Sequence, residues 1–128
     1  MNGTLKLGEH YICDLSDCNA RLLKNSDELY TLFSKAVRES GLTVVEECLY
    51  KFSPHGFTCF LLLAESHASL HAWPEYGYCA VDLFTCQVGK DLMPLIHQLK
   101  EAFGAQDCTV HKLERATQLA HPRTLPAG

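Results

Sequence analysis

Leu42-Thr43-Val44-Val45-Glu46-Glu47-Cys48-Leu49-Tyr50-Lys51-Phe52-Ser53-Pro54-His55-Gly56-Phe57-Thr58-Cys59-Phe60-Leu61-Leu62-Leu63-Ala64 is two β-rich runs on either side of a reversal. β-Branched and aromatic residues dominate 42–52, and an apolar run fills 57–64. Between them Ser53-Pro54-His55-Gly56 carries the proline and glycine that a tight reversal uses. The stretch predicts a hairpin. Working outward, Leu7 to Leu15 reads as a first strand. Ser26-Asp27-Glu28 then opens a helix whose apolar positions Leu29, Leu32, Phe33, Ala36 and Val37 recur at helical spacing and stop at Gly41. Downstream, 65–75 is irregular, Tyr76 to Cys86 reads as a strand, and a second helix starts at Asp91 with Pro94 in its first turn. Gly104 ends that helix, and Asp107 to Leu113 reads as the last strand. Hairpins interspersed with two helices predict an α+β two-layer sandwich, an antiparallel sheet covered by two helices on one face. Residues 1–117 form the expected single domain, and 118–128, with Pro122 and Pro126, an expected flexible tail.

The composition narrows the function classes. A net charge of −4 leaves no basic face to neutralise phosphates, so nucleic acid is not an expected partner. The longest apolar run, Phe57 to Ala64, is too short to cross a bilayer, and the first residues show no signal-peptide pattern. Seven cysteines without any C-x-x-C pair suggest reduced thiols in a cytosolic protein rather than a disulfide or zinc framework.

Chemistry-bearing residues concentrate in 65–86: a serine (Ser66), two histidines (His67, His71), an acid (Glu75) and a thiol (Cys86) beside a strongly apolar strand. Each is weak alone. Phe52 and Trp73 read equally as core aromatics, Cys86 as a buried thiol and Glu75 as a solvated turn acid. If the segment is extended, 67, 69 and 71 share a face, a parity that does not choose between the two histidines. A His67–His71 metal pair would fit a helix best, and Trp73-Pro74 argues against one, so no metal is expected.

Taken together, Ala64-Glu65-Ser66-His67, Leu70-His71, Trp73-Pro74-Glu75-Tyr76-Gly77-Tyr78 and Ala80-Val81-Asp82-Leu83-Phe84-Thr85-Cys86 closely resemble the short prokaryotic S-adenosylmethionine decarboxylases. Phe52-Ser53-Pro54-His55-Gly56 and Lys100-Glu101-Ala102-Phe103-Gly104-Ala105 are similar to two further motifs of that family. The resemblance implies a proenzyme that cuts itself at Glu65–Ser66, giving 1–65 and 66–128. Ser66 would attack the Glu65 carbonyl, and the resulting ester would eliminate to dehydroalanine and hydrolyse to a pyruvoyl group. That ketone would hold the amino-acid-like substrate as a Schiff base and act as electron sink. His71 is implied as the acid/base of processing and Cys86 as the proton donor of decarboxylation. Phe52 and Trp73 would hold the adenine and Glu75 the ribose, in a homodimer serving polyamine (spermidine) biosynthesis. Thr58 stands where the family has a small hydroxyl residue. Strain or a hydrogen bond at the Glu65 carbonyl would be needed, because an amide is more stable than an ester.

Three positions depart from the family pattern: Glu9 where a basic residue is common, Ala72 for threonine and Gln87 for glycine. A relative acting on free ornithine or arginine would need an acid for the distal amine or guanidinium, and Glu9, Asp14 and Glu75 are candidates. Other readings are an uncleaved homologue that regulates an active partner, and a metal-binding domain.

Overall fold

The computed structural model describes residues 6–118 and 122–127. Six strands, β1 (Gly8–Ser16), β2 (Val44–Lys51), β3 (Phe57–Leu63), β4 (Ser66–Trp73), β5 (Tyr78–Thr85) and β6 (Asp107–Arg115), form one sheet in the order β2-β3-β4-β5-β1-β6. Every neighbouring pair is antiparallel. Three helices, α1 (Ala20–Lys24), α2 (Ser26–Glu39) and α3 (Met93–Phe103), share one hydrophobic core with one sheet face. The expected two-layer α+β sandwich is what the chain forms. Part of the tail expected at 118–128 lies outside the described residues. Among the described residues no helix is long and apolar enough to cross a membrane.

The core follows from alternation along each strand. Tyr11, Cys13 and Leu15 of β1 point to the helices, as do Phe57, Cys59, Leu61 and Leu63 of β3 and Cys79, Val81 and Leu83 of β5. Leu29, Phe33 and Val37 of α2 and Leu95, Ile96, Leu99 and Phe103 of α3 close over them. Each fully buried Leu or Phe contributes roughly 1.5–3 kcal/mol. Among the described residues the other sheet face carries no helix. It presents His10 and Ile12, Thr58 and Phe60, His67 and His71, and Asp82 and Phe84.

Two elements differ from expectation. A short helix, α1, stands between the first strand and the helix expected from Ser26, capped by Asn19 Oδ1, which accepts the Leu22 N–H at 2.9 Å. The irregular segment after residue 65 is β4, a central strand. Its inward residues Ala68, Leu70 and Ala72 are small or aliphatic, and His67, Ser69 and His71 lie on the uncovered face, so its alternation is masked by histidines. The cap of α2 is Asn25, which accepts the Glu28 N–H at 3.1 Å, rather than Ser26.

Gly56 is required where it stands. Its φ is +92°, and a Cβ there would sit 2.9 Å from the Ala72 carbonyl oxygen. Gly56→Ala should therefore destabilise by about 1–3 kcal/mol and lower the melting midpoint by roughly 5 °C or more, measured by differential scanning calorimetry.

Candidate active site

The sequence-predicted residues fall into two groups at opposite ends of β4. At one end, β3 and β4 are joined by the two-residue turn Ala64–Glu65, and Ser66 follows directly. The Glu65 carboxylate accepts the Thr43 N–H at 3.0 Å, and the Ala64 N–H donates to the Thr43 carbonyl at 2.9 Å. The Thr43 N–H holds the Glu65 carboxyl below the usual carboxylate range, so it is ionised at neutral pH. The Glu65 backbone carbonyl accepts the Cys86 N–H at 2.8 Å. Cys86 itself is exposed, one residue past β5.

Ser66 has a φ of +149°, in the region that L residues rarely adopt. Holding a serine there costs on the order of 1–3 kcal/mol. In an L residue Cβ lies about 120° around the N–Cα bond from the carbonyl carbon. From a φ of +149° this leaves Ser66 Cβ about 30° from eclipsing the Glu65 carbonyl carbon. An ordinary antiparallel-strand φ would put it about 100° away. A dihedral that small is what a five-membered ring of the Glu65 carbonyl carbon and Ser66 N, Cα, Cβ and Oγ requires.

At the other end of β4 a cavity of about 390 Å³ is lined by Phe52, His55, Thr58, His71, Trp73 and Glu75. That volume lies within the roughly 300–1,000 Å³ of small-molecule pockets. Thr58 and His71 are direct partners across the β3–β4 ladder, and Thr58 Oγ1 lies 2.8 Å from His71 Nδ1, fixing the imidazole's orientation. The Trp73 ring stacks on Tyr78 at 5.5 Å between centroids and lies 6.0 Å from His71. Tyr78 in turn donates to Asp14, and burial together with that contact pushes its hydroxyl up to about 12. Phe52, 52% exposed, and Trp73, 41% exposed, offer aromatic faces without being core residues.

Ser66 and His71 do not meet within one chain. Five residues of strand separate them, about 16 Å along β4. His67, nearer to Ser66, packs instead against Phe60, His10 and Phe84, with ring centroids 5.2, 6.2 and 5.7 Å away. Burial, followed by the neighbouring His10, holds His67 below its ordinary pKa. Along β4, His67 and His71 are four residues or about 13 Å apart, too far to share an ion.

Glu9 and Asp14, two of the acids considered for a distal amine, are already engaged. Glu9 pairs with Lys6 at 2.8 Å and Lys112 at 3.4 Å, and Asp14 accepts from Tyr78. The buried Glu9 carboxylate was legible only as a departure from a pattern. The structure shows what it holds: the Gly89 N–H, at 3.3 Å.

Comparison with known proteins fits this arrangement. The family model described as S-adenosylmethionine decarboxylase matches residues 9–116. The chain belongs to the S-adenosylmethionine decarboxylase family. The S-adenosylmethionine decarboxylase proenzyme of Fervidobacterium nodosum is 35% identical over 122 residues, covering 94% of this chain and 89% of the relative. That of Thermosipho melanesiensis is 38% identical over 108 residues, covering 84% and 82%. Among solved structures, the adenosylmethionine decarboxylase of Aquifex aeolicus superposes with a TM-score of 0.81 at 28% identity, covering 93% of this chain and 98% of that one. The decarboxylase family thus accounts for the whole sheet, both ends of β4 included.

Proposed function

We propose that this chain is a self-processing S-adenosylmethionine decarboxylase, a carboxy-lyase that cuts itself between Glu65 and Ser66 and feeds polyamine (spermidine) biosynthesis with an aminopropyl donor. The observation that carries the reading is the backbone at the cut: Ser66 at φ +149° with the Glu65 carbonyl already bonded to the Cys86 N–H. In the first step Ser66 Oγ bonds to the Glu65 carbonyl carbon, the C–N bond breaks, and the hydroxyl proton ends on the freed Ser66 nitrogen. Negative charge develops on the Glu65 oxygen, where the Cys86 N–H is aimed. Strain released at Ser66 offsets part of the amide's advantage over the ester. Loss of the Ser66 α-proton expels the Glu65 carboxylate, and hydrolysis with loss of ammonia leaves a pyruvoyl group at position 66. That ketone supplies the electron sink for decarboxylation.

The chain's own residues do the rest. Cys86, exposed and adjacent to the cut, delivers the proton that replaces carbon dioxide. Phe52 and Trp73 take the adenine between aromatic faces, which also favour a sulfonium by roughly 0.5–2 kcal/mol. Glu75 accepts the ribose hydroxyls. His71, oriented by Thr58, removes and returns protons during processing.

His71 can serve Ser66 only from a second copy. The uncovered sheet face supports such a homodimer: Tyr50, Phe60, Leu62 and Trp73 are exposed along it. A two-fold axis lying in the plane of that interface, perpendicular to β4, brings the Ser66 end of one protomer over the His71 end of its partner. Seven free cysteines fit a reducing cytosol.

Nothing supports ornithine or arginine as substrate, since the relatives above are named for S-adenosylmethionine and two of the three candidate acids are engaged. Purified protein incubated separately with S-adenosylmethionine, ornithine and arginine should release carbon dioxide from the first alone. Faster release from either free amino acid would overturn the substrate and leave the processing chemistry standing.

A further inference from the structure

The loop from Cys86 to Lys90 is held from behind by two buried polar side chains. Thr85 Oγ1 accepts the Gln87 N–H at 2.9 Å, and Glu9 Oε1 accepts the Gly89 N–H at 3.3 Å. Thr85 and Glu9 sit directly opposite each other across the β1–β5 ladder and are 0% and 1% exposed. A lone ionised carboxylate at such depth would be strongly unfavourable. Here Lys6 at 2.8 Å and Lys112 at 3.4 Å compensate its charge, and Lys6 also reaches Glu114 at 2.9 Å. An apolar residue of the same volume would fill the space but leave the Gly89 N–H without its acceptor. The same loop begins at Cys86, whose N–H is on the Glu65 carbonyl at 2.8 Å.

We infer that Glu9 is a positioning residue for self-cleavage: by anchoring the back of the 86–90 loop it holds the Cys86 N–H on the Glu65 carbonyl and sets the direction of the Cys86 thiol. The inference rests on the Glu65–Ser66 cleavage proposed above. Thr85 supplies the parallel anchor, at Gln87, two residues closer to the thiol. Lys6 and Lys112 act through Glu9 by keeping its carboxylate in place.

The test follows cleavage over time after cell-free synthesis, for the wild type, Glu9→Gln and Glu9→Ala. Glutamine keeps an acceptor for Gly89 but not the charge; alanine keeps neither. Cleavage should slow in the order wild type, Glu9→Gln, Glu9→Ala, with a loss of about 10-fold or more for alanine. In a Ser66→Ala background, the rate of iodoacetamide alkylation at each cysteine, located by mass spectrometry, reads the loop without any cleavage. Glu9→Ala should change the rate and pH profile at Cys86 several-fold and leave exposed Cys48 and buried Cys59 unchanged. Glu9→Gln carries the comparison if the alanine variant does not fold. Wild-type cleavage rates in the folded variants, or thiols that all change alike, would overturn the role. A wild-type chain that never cleaves would sink the proposed function, while the Cys86 alkylation profile would still decide Glu9's hold on the loop.

Discussion

Ser66→Ala is expected to leave the 14.3 kDa chain whole and to remove decarboxylation altogether. The expected loss is total because the proposed mechanism makes one side chain both the nucleophile of cleavage and the source of the ketone. Removing the hydroxyl abolishes the acyl shift, and an uncleaved chain has no electron sink at position 66. Denaturing electrophoresis reads the first effect, as one band in place of two of about half the mass, and carbon dioxide release from S-adenosylmethionine reads the second. Fragments from the alanine variant would refute the assignment. A companion variant separates strain from chemistry. Alanine keeps the Cβ that disfavours φ +149°, whereas glycine tolerates it. Ser66→Gly should also stay uncleaved but melt above Ser66→Ala, by the several degrees that about 1–2 kcal/mol represents.

His71→Ala alone should slow cleavage by roughly 100- to 10,000-fold, the range for losing a general acid/base. Co-expressed with Ser66→Ala, however, it should be cut. In a mixed dimer the His71→Ala chain keeps its own Ser66 and meets the intact His71 of its partner across the interface. With equal expression and random pairing, about half of the His71→Ala chains would find such a partner. An affinity tag on one variant shows which chain has been cut. The physical basis is distance: about 16 Å of strand cannot be bridged by an imidazole in the same protomer. A mixture as inert as its parents would mean that His71 does not act between copies.

The sequence made β1, β3, β5 and both long helices legible because their apolar periods are unbroken and proline and glycine mark their ends. Helix α1 was not legible, since its five residues are too few to show a period and it depends on the Asn19 cap and on Leu22 and Leu23 reaching the core. Strand β4 was obscured because half of its residues face away from the helices, where serine and histidine are as acceptable as valine. The candidate site residues were named from the family motif. Their division between two ends of one strand could not be read from it, because it depends on register and on a strand running straight between the motif's first and last members. The backbone at Ser66 was hidden for a related reason. Serine carries no propensity for φ +149°, so only a hairpin closed tightly at Ala64–Glu65 imposes it.

The cut proposed above falls at a hairpin tip, and that placement has a consequence for how a cleaved molecule would come apart. Residues 1–65 supply β1, β2 and β3, and 66–128 supply β4, β5 and β6. In the sheet β1 is threaded between β5 and β6, so the two pieces are interleaved across three ladders. Severing that peptide bond would therefore free no strand, and the halves would stay clasped without a covalent link. Once denatured, though, reassembly becomes a bimolecular search between two polypeptides, slower on dilution, whereas the uncut precursor refolds at a rate indifferent to concentration. The proposed maturation would thus turn a chain that can fold unaided into a partnership that survives only while it is never fully undone.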